Sequence, residues 1–106
     1  MPLPQADGMV KNRPAIFLRE MPPFHDLLVC GVSTQLHQFT LELDELITAK
    51  DDDFKKSGIV ADSVIRLGFL AVLPRRNVLG SIGKISSDRH HRLLQRLSKY
   101  LVKGFR

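Results

Sequence analysis

The sequence predicts a small protein that is mainly β, with a single helix at its C-terminal end. The chain has 106 residues, which suits one domain, 1–106, around a single core. Apolar segments of strand length, rich in Val, Ile and Phe, recur between turn-forming residues over 13–85. Over 87–103 the apolar residues recur at helical spacing instead. We therefore expect a loop over 1–12, then barrel strands, then the helix.

The chain is expected to open with a loop and a hairpin. Residues 2–12 contain Pro, Asp-Gly and Asn, which indicate an exposed loop. Pro14 to Glu20 predicts a strand whose proline stands at the first position, where the missing amide does least harm. Residues 21–26 supply the hairpin connection, and 27–32 form an apolar second strand. The predicted sheet is mostly antiparallel, a barrel or a half-open sheet on which the helix packs.

The second half of the sheet is expected to contain shorter or bent strands. Phe39 to Asp44 alternates apolar and polar residues, the period of a strand with one wet face. Residues 48–57 hold three consecutive aspartates without the spacing or glycine of a calcium loop, which favours a solvated turn over a metal site. Ile59 to Leu73 predicts a strand pair or one bent strand. Residues 75–77 form a turn, and 78–85 another short strand.

The helix has recognisable start and stop signals. Ser86 or Ser87 can cap its beginning, Asp88 suits its positive end, and Gly104 follows it as a stop. Its residues at helical spacing divide into an apolar face and a basic face. The apolar face comprises Leu93, Leu94, Leu97, Tyr100 and Leu101.

Positive charge is concentrated in the C-terminal third of the chain. Residues 1–73 carry 7 Lys and Arg against 10 Asp and Glu, whereas 74–106 carry 9 against the single Asp88. Such a distribution suits a polyanionic partner. The basic stripe of the helix is spaced by three and four residues: Arg89, Arg92, Arg96, Lys99 and Lys103. It is either a polyanion contact or the solvated face of a surface helix, and the spacing leaves both open.

The expected compartment is the cytoplasm. No apolar run approaches the ~20 residues that cross a bilayer, so we expect no membrane association. The N-terminus lacks the basic and then apolar layout of a signal peptide. The single cysteine, Cys30, cannot form an internal disulfide, which favours a reducing environment. Its apolar surroundings predict a small buried hydrophobic residue.

Candidate chemistry lies where apolar strands end in polar residues. The stretch 27–38, LLVCGVSTQLHQ, turns from apolar to polar at Ser33. Arg13 precedes Pro14, which favours extended geometry and would fix the guanidinium at the rim of the sheet, where it could bind a phosphate. Arg66 interrupts an apolar run, an expensive place for a charge unless it faces a cleft or has a partner. The sequence contains no phosphate-binding loop, zinc quartet or nucleotide fingerprint.

Each of these residues also has a purely structural explanation. Arg13 could be an ordinary surface residue, and Ser33 a hydrogen-bonded strand end. Arg66 could pair with an acid such as Asp62, and His37 could simply be solvent-exposed. From the residues alone, the prediction is a basic, single-domain protein with a possible phosphate site.

Four segments, in this order and at matching separations, resemble the MazF/PemK family of toxins from bacterial toxin–antitoxin pairs. They are NRPAIFL (12–18), LLVCGVSTQLHQ (27–38), SGIVADSVIRLGFLAVL (57–73) and LGSIGKIS (79–86), the last followed by the terminal helix. The resemblance covers nearly the whole chain. It implies an SH3-like barrel that forms a homodimer, cleaves single-stranded RNA without a metal or other cofactor, and is silenced by a cognate antitoxin.

The resemblance also implies roles for individual residues. Arg13 matches the main catalytic arginine of the family, Ser33 stands where the family has a catalytic Thr or Ser, and Arg66 matches an arginine that some members use in catalysis. The attacking group would be the 2′-hydroxyl of the RNA itself. Single-stranded RNA suits a charged cleft that reads splayed bases. The implied substrate-binding residues are Lys11, Asn12, Thr34, Gln35 and His37.

The chain departs from the family pattern in two places. Members usually begin with a Gly-Asp and an apolar strand, where this chain has Met1-Pro2-Leu3-Pro4, so the first strand is expected to be absent or truncated. Some members carry an acid two residues after the arginine matched by Arg66, where this chain has Gly68. Two rival functions remain: a non-catalytic toxin that inhibits a DNA topoisomerase, and a degenerate relative that binds RNA or its antitoxin through the basic helix.

Overall fold

The computed structural model describes residues 2–4, 10–12, 15–77 and 84–103. The described part of the chain contains two short 3₁₀ helices, Leu36–Gln38 and Arg75–Asn77. The regular elements, in chain order, are β1 (Pro2–Pro4), β2 (Val10–Asn12), β3 (Ala15–Met21), β4 (Asp26–Ser33), β5 (Glu45–Ile47), α1 (Phe54–Ser57), β6 (Ser63–Leu73) and α2 (Ser87–Leu101).

Four of the strands form one curled antiparallel sheet in the order β3-β4-β6-β5. Such a sheet, together with the C-terminal helix α2, is compatible with a small barrel. The predicted class, mainly β with one C-terminal helix, is confirmed. β1 and β2 pair with each other in a separate two-stranded sheet, so short strands occur where the sequence predicts a loop over 2–12.

β6 is one long strand that bends opposite Gly31. On β4 the register advances by one residue, from Cys30 to Gly31, while on β6 it moves from Leu70 to Arg66. The residues of β6 between these two positions therefore have no paired partner on β4 and form a bulge, which bends the strand. Of the two alternatives for Ile59 to Leu73, the single bent strand is the one observed, but it begins only at Ser63.

The two faces of the sheet bury two apolar clusters. On one face, Leu93 and Leu97 of α2 pack against residues that include Ile65 and Leu67. The second cluster, on the other face, centres on Val29, which is fully buried. Alternation along β4 and β6 divides the side chains between the two clusters, because successive residues of a strand point to opposite faces of the sheet.

The strand predicted over Phe39 to Asp44 is wrong. The segment turns instead, because the buried carboxylate of Asp44 organises it: Oδ2 accepts the backbone N–H of Thr40 at 3.0 Å, and Oδ1 accepts that of Leu67 at 3.0 Å. The carboxylate thereby takes up amides that a sheet ladder would otherwise use. Only the next three residues, β5, pair with β6.

The helix α2 begins where the sequence predicts. Ser86 is its N-cap, and its hydroxyl oxygen accepts the backbone N–H of Arg89 at 3.1 Å. The helix ends at Leu101, two residues before the predicted end, and Tyr100 and Leu101 are exposed. No helix of the described part is long and apolar enough to cross a bilayer.

Two of the predicted features near the helix fall on residues that the structure does not describe. Gly104, the predicted stop signal, lies outside the described residues. The short strand predicted over 78–85 falls mostly outside them as well, and Lys84 and Ile85, which are described, are in no strand.

Candidate functional site

Ser33 is the last residue of β4 and marks the point where the strand leaves the sheet. Its backbone is paired with Val64 of β6. Its hydroxyl oxygen accepts the backbone N–H of Gln35 at 3.1 Å, which turns the chain away from the strand direction. The hydrogen bond uses an oxygen lone pair, so the hydroxyl proton is left to donate to another group.

A cleft of about 350 Å³ opens beside this strand end. Ser33, Thr34 and Gln35 line one wall, so three of the residues singled out from the sequence lie side by side on one concave surface. Thr34 and Gln35 are exposed. His37 is exposed too, on the following 3₁₀ turn, but it is not among the residues that line the cleft.

The opposite wall was not predicted from the sequence. It consists of residues 58–61 together with Ser63. Gly58 ends α1 with a left-handed φ of 77°, a conformation that suits glycine, and thereby directs the chain along the cleft. Val60 is 93% exposed at this wall. The Ser57-Gly58 pair signals only a turn in the sequence, because the wall depends on long-range pairing of β4 with β6.

Arg66 lies on the same face of the sheet as Ser33. It is paired with Gly31, two cross-strand pairs away from the Ser33–Val64 pair, and side chains two positions apart on a strand share a face. Its guanidinium carbon lies 5.8 Å from the ring centroid of Phe69. Arg66 is therefore near the cleft along the strand but does not line it.

The position of the Phe69 ring beneath Arg66 depends on the β6 bulge and on the lack of a side chain at Gly31. A Cβ built on Gly31 would lie 3.2 Å from Cδ1 of Phe69, closer than most packing contacts of a Cβ atom. The absence of a side chain at Gly31 therefore makes room for the aromatic ring that carries the guanidinium. Gly68 is less constrained, since a Cβ there would meet Leu43 at an ordinary 3.5 Å.

The alternative partner for Arg66 is engaged elsewhere. Asp62 accepts the backbone N–H of Ala49 at 2.9 Å through Oδ1. Within the described part of the chain, Arg66 has no ion pair with Asp62 or any other acid. The guanidinium of Arg66 thus contacts the ring of Phe69 and solvent, and its N–H groups are available to donate to a ligand.

The remaining candidates lie near the N-terminus. Arg13, the predicted main catalytic residue, is outside the residues that the structure describes. Lys11 and Asn12 belong to β2, where their backbones pair with Leu3 and Pro2. Their roles stay predictions.

The three consecutive aspartates lie in a turn, as predicted, but only Asp52 is exposed to solvent. Asp53 is buried, and both of its carboxylate oxygens accept hydrogen bonds from Arg89. Asp51 accepts another from the same guanidinium at 3.0 Å. Across the described residues, no group of three potential ligands is placed to hold a metal ion. Asp51 and Asp53 stabilise a cation of the protein itself, the guanidinium of Arg89.

The basic stripe of α2 is mostly occupied by internal contacts. Arg89 is buried, and besides the aspartates it bonds to Glu45 and to the carbonyl oxygen of Leu46, each at 3.0 Å. Its five N–H groups all have acceptors. Arg92 also contacts Glu45, with Nε 3.1 Å from Oε2. At Arg89 the stripe is neither the polyanion contact nor the solvated face that the sequence left open, whereas Arg92 keeps about half of its side chain exposed.

Further along the helix, the stripe holds the turn that follows β4. The guanidinium of Arg96 donates to three carbonyl oxygens, those of Leu41, Leu43 and Asp44, at 2.7 to 3.1 Å. Lys103 contacts Glu42 at 2.6 Å. Lys99 is the member of the stripe that is exposed without an ion pair in the described part.

Cys30 lies in the core and is not a candidate nucleophile. It is fully buried, as predicted. Burial, with a smaller contribution from the negative charge of Asp44, raises the pKa of its thiol to about 12. A thiol with so high a pKa is not ionised at neutral pH and is unreactive.

The described residues thus form a mainly β protein with a polar cleft at the end of its central strands, and its basic helix is tied to the sheet. Comparison with models of known families finds none that matches the chain, and no curated protein matches it either.

Proposed function

We propose that this chain is a metal-independent endoribonuclease of the MazF/PemK type, the toxin of a toxin–antitoxin pair, and that its curled sheet is part of an SH3-like barrel. Its substrate is single-stranded RNA, including messenger RNA. The order of four sequence segments over nearly the whole chain supports this assignment. The mainly β architecture with a terminal helix is compatible with it.

One observation carries the proposal beyond the sequence. Ser33, Thr34 and Gln35 form a continuous wall of one cleft, and Arg66 lies on the same sheet face. A hydroxyl with a proton to donate and a guanidinium with open donors are groups that stabilise the added negative charge of a pentavalent phosphate.

The proposed reaction needs no nucleophile from the protein. The 2′-hydroxyl of the RNA gives up its proton to solvent as its oxygen attacks the adjacent phosphorus, the bond to the 5′-oxygen breaks, and that oxygen takes up a proton from solvent. The products end in a 2′,3′-cyclic phosphate and a 5′-hydroxyl. Ser33 donates to a phosphate oxygen, while Arg13 acts on the leaving oxygen or on the phosphorane charge. Arg66 contributes positive charge along the same face.

The proposed partners follow from the same assignment. Lys11, Asn12 and His37 contact the RNA beyond the cleft wall. A cognate antitoxin silences the protein, which acts as a homodimer in the cytoplasm. We expect the antitoxin segment that covers the RNA-binding surface to be acidic or apolar.

The rival in which a degenerate relative binds RNA through its basic helix carries less weight. Arg89, Arg92 and Arg96 are committed to acids and carbonyl groups of the protein itself. Arg89 is buried in its network, so exposing it to RNA would break a buried ion pair, at a cost of several kcal/mol.

The test compares cleavage of a single-stranded RNA by the wild type and by two variants, Ser33→Ala and Arg13→Ala. Matched controls remove the same groups elsewhere: Ser98→Ala takes a hydroxyl from an exposed position of α2, and Arg76→Ala takes an exposed guanidinium from the turn after β6. We expect cleavage to fall by about 100-fold or more, on the order of a missing oxyanion donor, in the first pair only. Full activity of Ser33→Ala would contradict the proposed role of the strand end.

A further inference from the structure

Three lysines from two distant parts of the chain are brought close together next to the segment that forms the far wall of the cleft. Lys55 and Lys56 belong to α1, and the backbone N–H of Lys84 donates to the carbonyl oxygen of Lys56 at 3.0 Å. All three side chains are exposed. We refer to Lys55, Lys56 and Lys84 as the lysine cluster. The sequence does not reveal it, because two members lie in the part of the chain with a net negative balance.

The cluster is a free positive charge, unlike the basic stripe of the helix. Within the described residues, none of its members is in an ion pair. The neighbouring acids Asp51 and Asp53 are bound to Arg89, while Asp52 is exposed. Lysine ammonium groups on flexible stems bind phosphates as point charges and impose no particular sequence.

The cluster is continuous with the far wall of the cleft. α1 ends at Ser57, and Gly58 is the first residue of that wall. Lys55 and Lys56 precede Gly58 by only three and two residues, so RNA that leaves the cleft at the Gly58 end of this wall comes close to them. We propose that the lysine cluster binds backbone phosphates of the single-stranded RNA flanking the cleft, an inference that rests on the proposed function.

The experiment measures binding apart from cleavage. The probe is a fluorescent single-stranded 2′-O-methyl RNA, which lacks the nucleophilic hydroxyl, and its affinity is measured by anisotropy over a series of salt concentrations. The variant is K55Q/K56Q/K84Q. The matched control, R19Q/K50Q/K99Q, removes the same formal charge from exposed residues outside the cluster. Thermal unfolding confirms that both triple variants fold.

The expected result is specific to the cluster. The slope of log affinity against log salt falls by about 0.7 for each phosphate that the protein no longer neutralises. The variant K55Q/K56Q/K84Q is therefore expected to lower the slope by about 2 and to weaken binding by about tenfold or more. The control changes the slope by much less. Equal effects of the two triple variants, or no effect of either, would overturn the lysine cluster as a binding site.

The proposed function is judged separately in the same preparation. Cleavage of unmodified RNA by the wild type, together with an unchanged slope for K55Q/K56Q/K84Q, would leave the nuclease standing and remove the lysine cluster from its binding surface. Neither binding nor cleavage by the folded wild type would overturn both.

Discussion

Arg89 donates two hydrogen bonds to the carboxylate of Asp53, from Nε to Oδ2 at 2.8 Å and from Nη2 to Oδ1 at 3.3 Å. Both side chains are about 95% buried. The backbone N–H of Ser86, the N-cap residue of α2, donates to the same carboxylate at 3.0 Å. Asp53 therefore binds both the beginning of the helix and the side chain of Arg89. This pair fixes the helix to the segment that leads into the far wall of the cleft.

Breaking the pair from the arginine side is expected to be costly. Arg89→Ala leaves Asp53 buried without its partner, and removal of one member of a buried ion pair costs about 3–5 kcal/mol. Urea unfolding followed by circular dichroism measures the loss, with Arg76→Ala as the exposed control. A loss below about 1 kcal/mol, the range of exposed pairs, would show that the network is not a structural anchor.

The same carboxylate makes stability depend on acid pH. Burial acts to raise the pKa of Asp53, but hydrogen bonds from Arg89 and Ser86 outweigh it and hold the pKa below its ordinary value of 3.8. A carboxyl group whose pKa is lowered on folding contributes stability above its unfolded pKa, and that contribution is lost as the pH falls through the folded value. We expect the free energy of unfolding to decline below about pH 4.

The variant Asp53→Asn isolates this contribution. Its free energy of unfolding is expected to be lower at neutral pH and to fall less steeply in acid, because the titrating group is gone. Asp52→Asn, at an exposed position, is the control and keeps the wild-type slope. Parallel pH curves for Asp53→Asn and the wild type would contradict the assignment.

Arg96 is expected to need its guanidinium and not only its charge. Lysine has a compact ammonium group that cannot reproduce the planar fork on the carbonyls of Leu41, Leu43 and Asp44. We expect Arg96→Lys to lower the free energy of unfolding by about 1–2 kcal/mol. Lys99→Ala, on the exposed part of the stripe, is expected to change it by less than about 0.5 kcal/mol. Equal stabilities of the two variants would refute the structural role.

Gly31 is expected to resist substitution because of Phe69. A methyl group at Gly31 would press on the ring at 3.2 Å and displace it from beneath Arg66, and such overpacking costs about 1–3 kcal/mol. A double-mutant cycle with Phe69→Leu measures the coupling: Gly31→Ala should cost less when the ring is absent. Additive effects of the two substitutions would argue that the close approach is relaxed elsewhere.

The sequence predicts correctly those elements that depend on a periodic pattern of apolar residues within one segment. The apolar strands β3 and β4, the long β6 and the capped helix α2 all carry their periodicity in consecutive residues. Phe39 to Asp44 has the same alternation, yet it turns, because Asp44 bonds to Leu67, a residue 23 positions away. No local pattern contains that hydrogen bond.

The contacts of the charged residues also depend on the fold and cannot be predicted from the local sequence. The aspartate run and the basic stripe each looked like a surface feature, but they meet across 36 residues in the Arg89–Asp53 pair. Charge patterns report composition, and only the fold decides which charges neutralise each other. Only one wall of the cleft is predictable from the sequence. Ser33, Thr34 and Gln35 indicate it, because they form a polar end to an apolar strand. The residues of the other wall, 58–61, have no side-chain pattern that indicates a binding site.

The most direct measurement is incubation of the purified wild-type protein with a long single-stranded RNA in EDTA, followed by analysis of the fragment ends. We predict discrete fragments that carry 2′,3′-cyclic phosphates and 5′-hydroxyls, formed without a divalent metal. RNA that stays intact in the presence of excess folded protein would contradict the assignment of this chain as a ribonuclease.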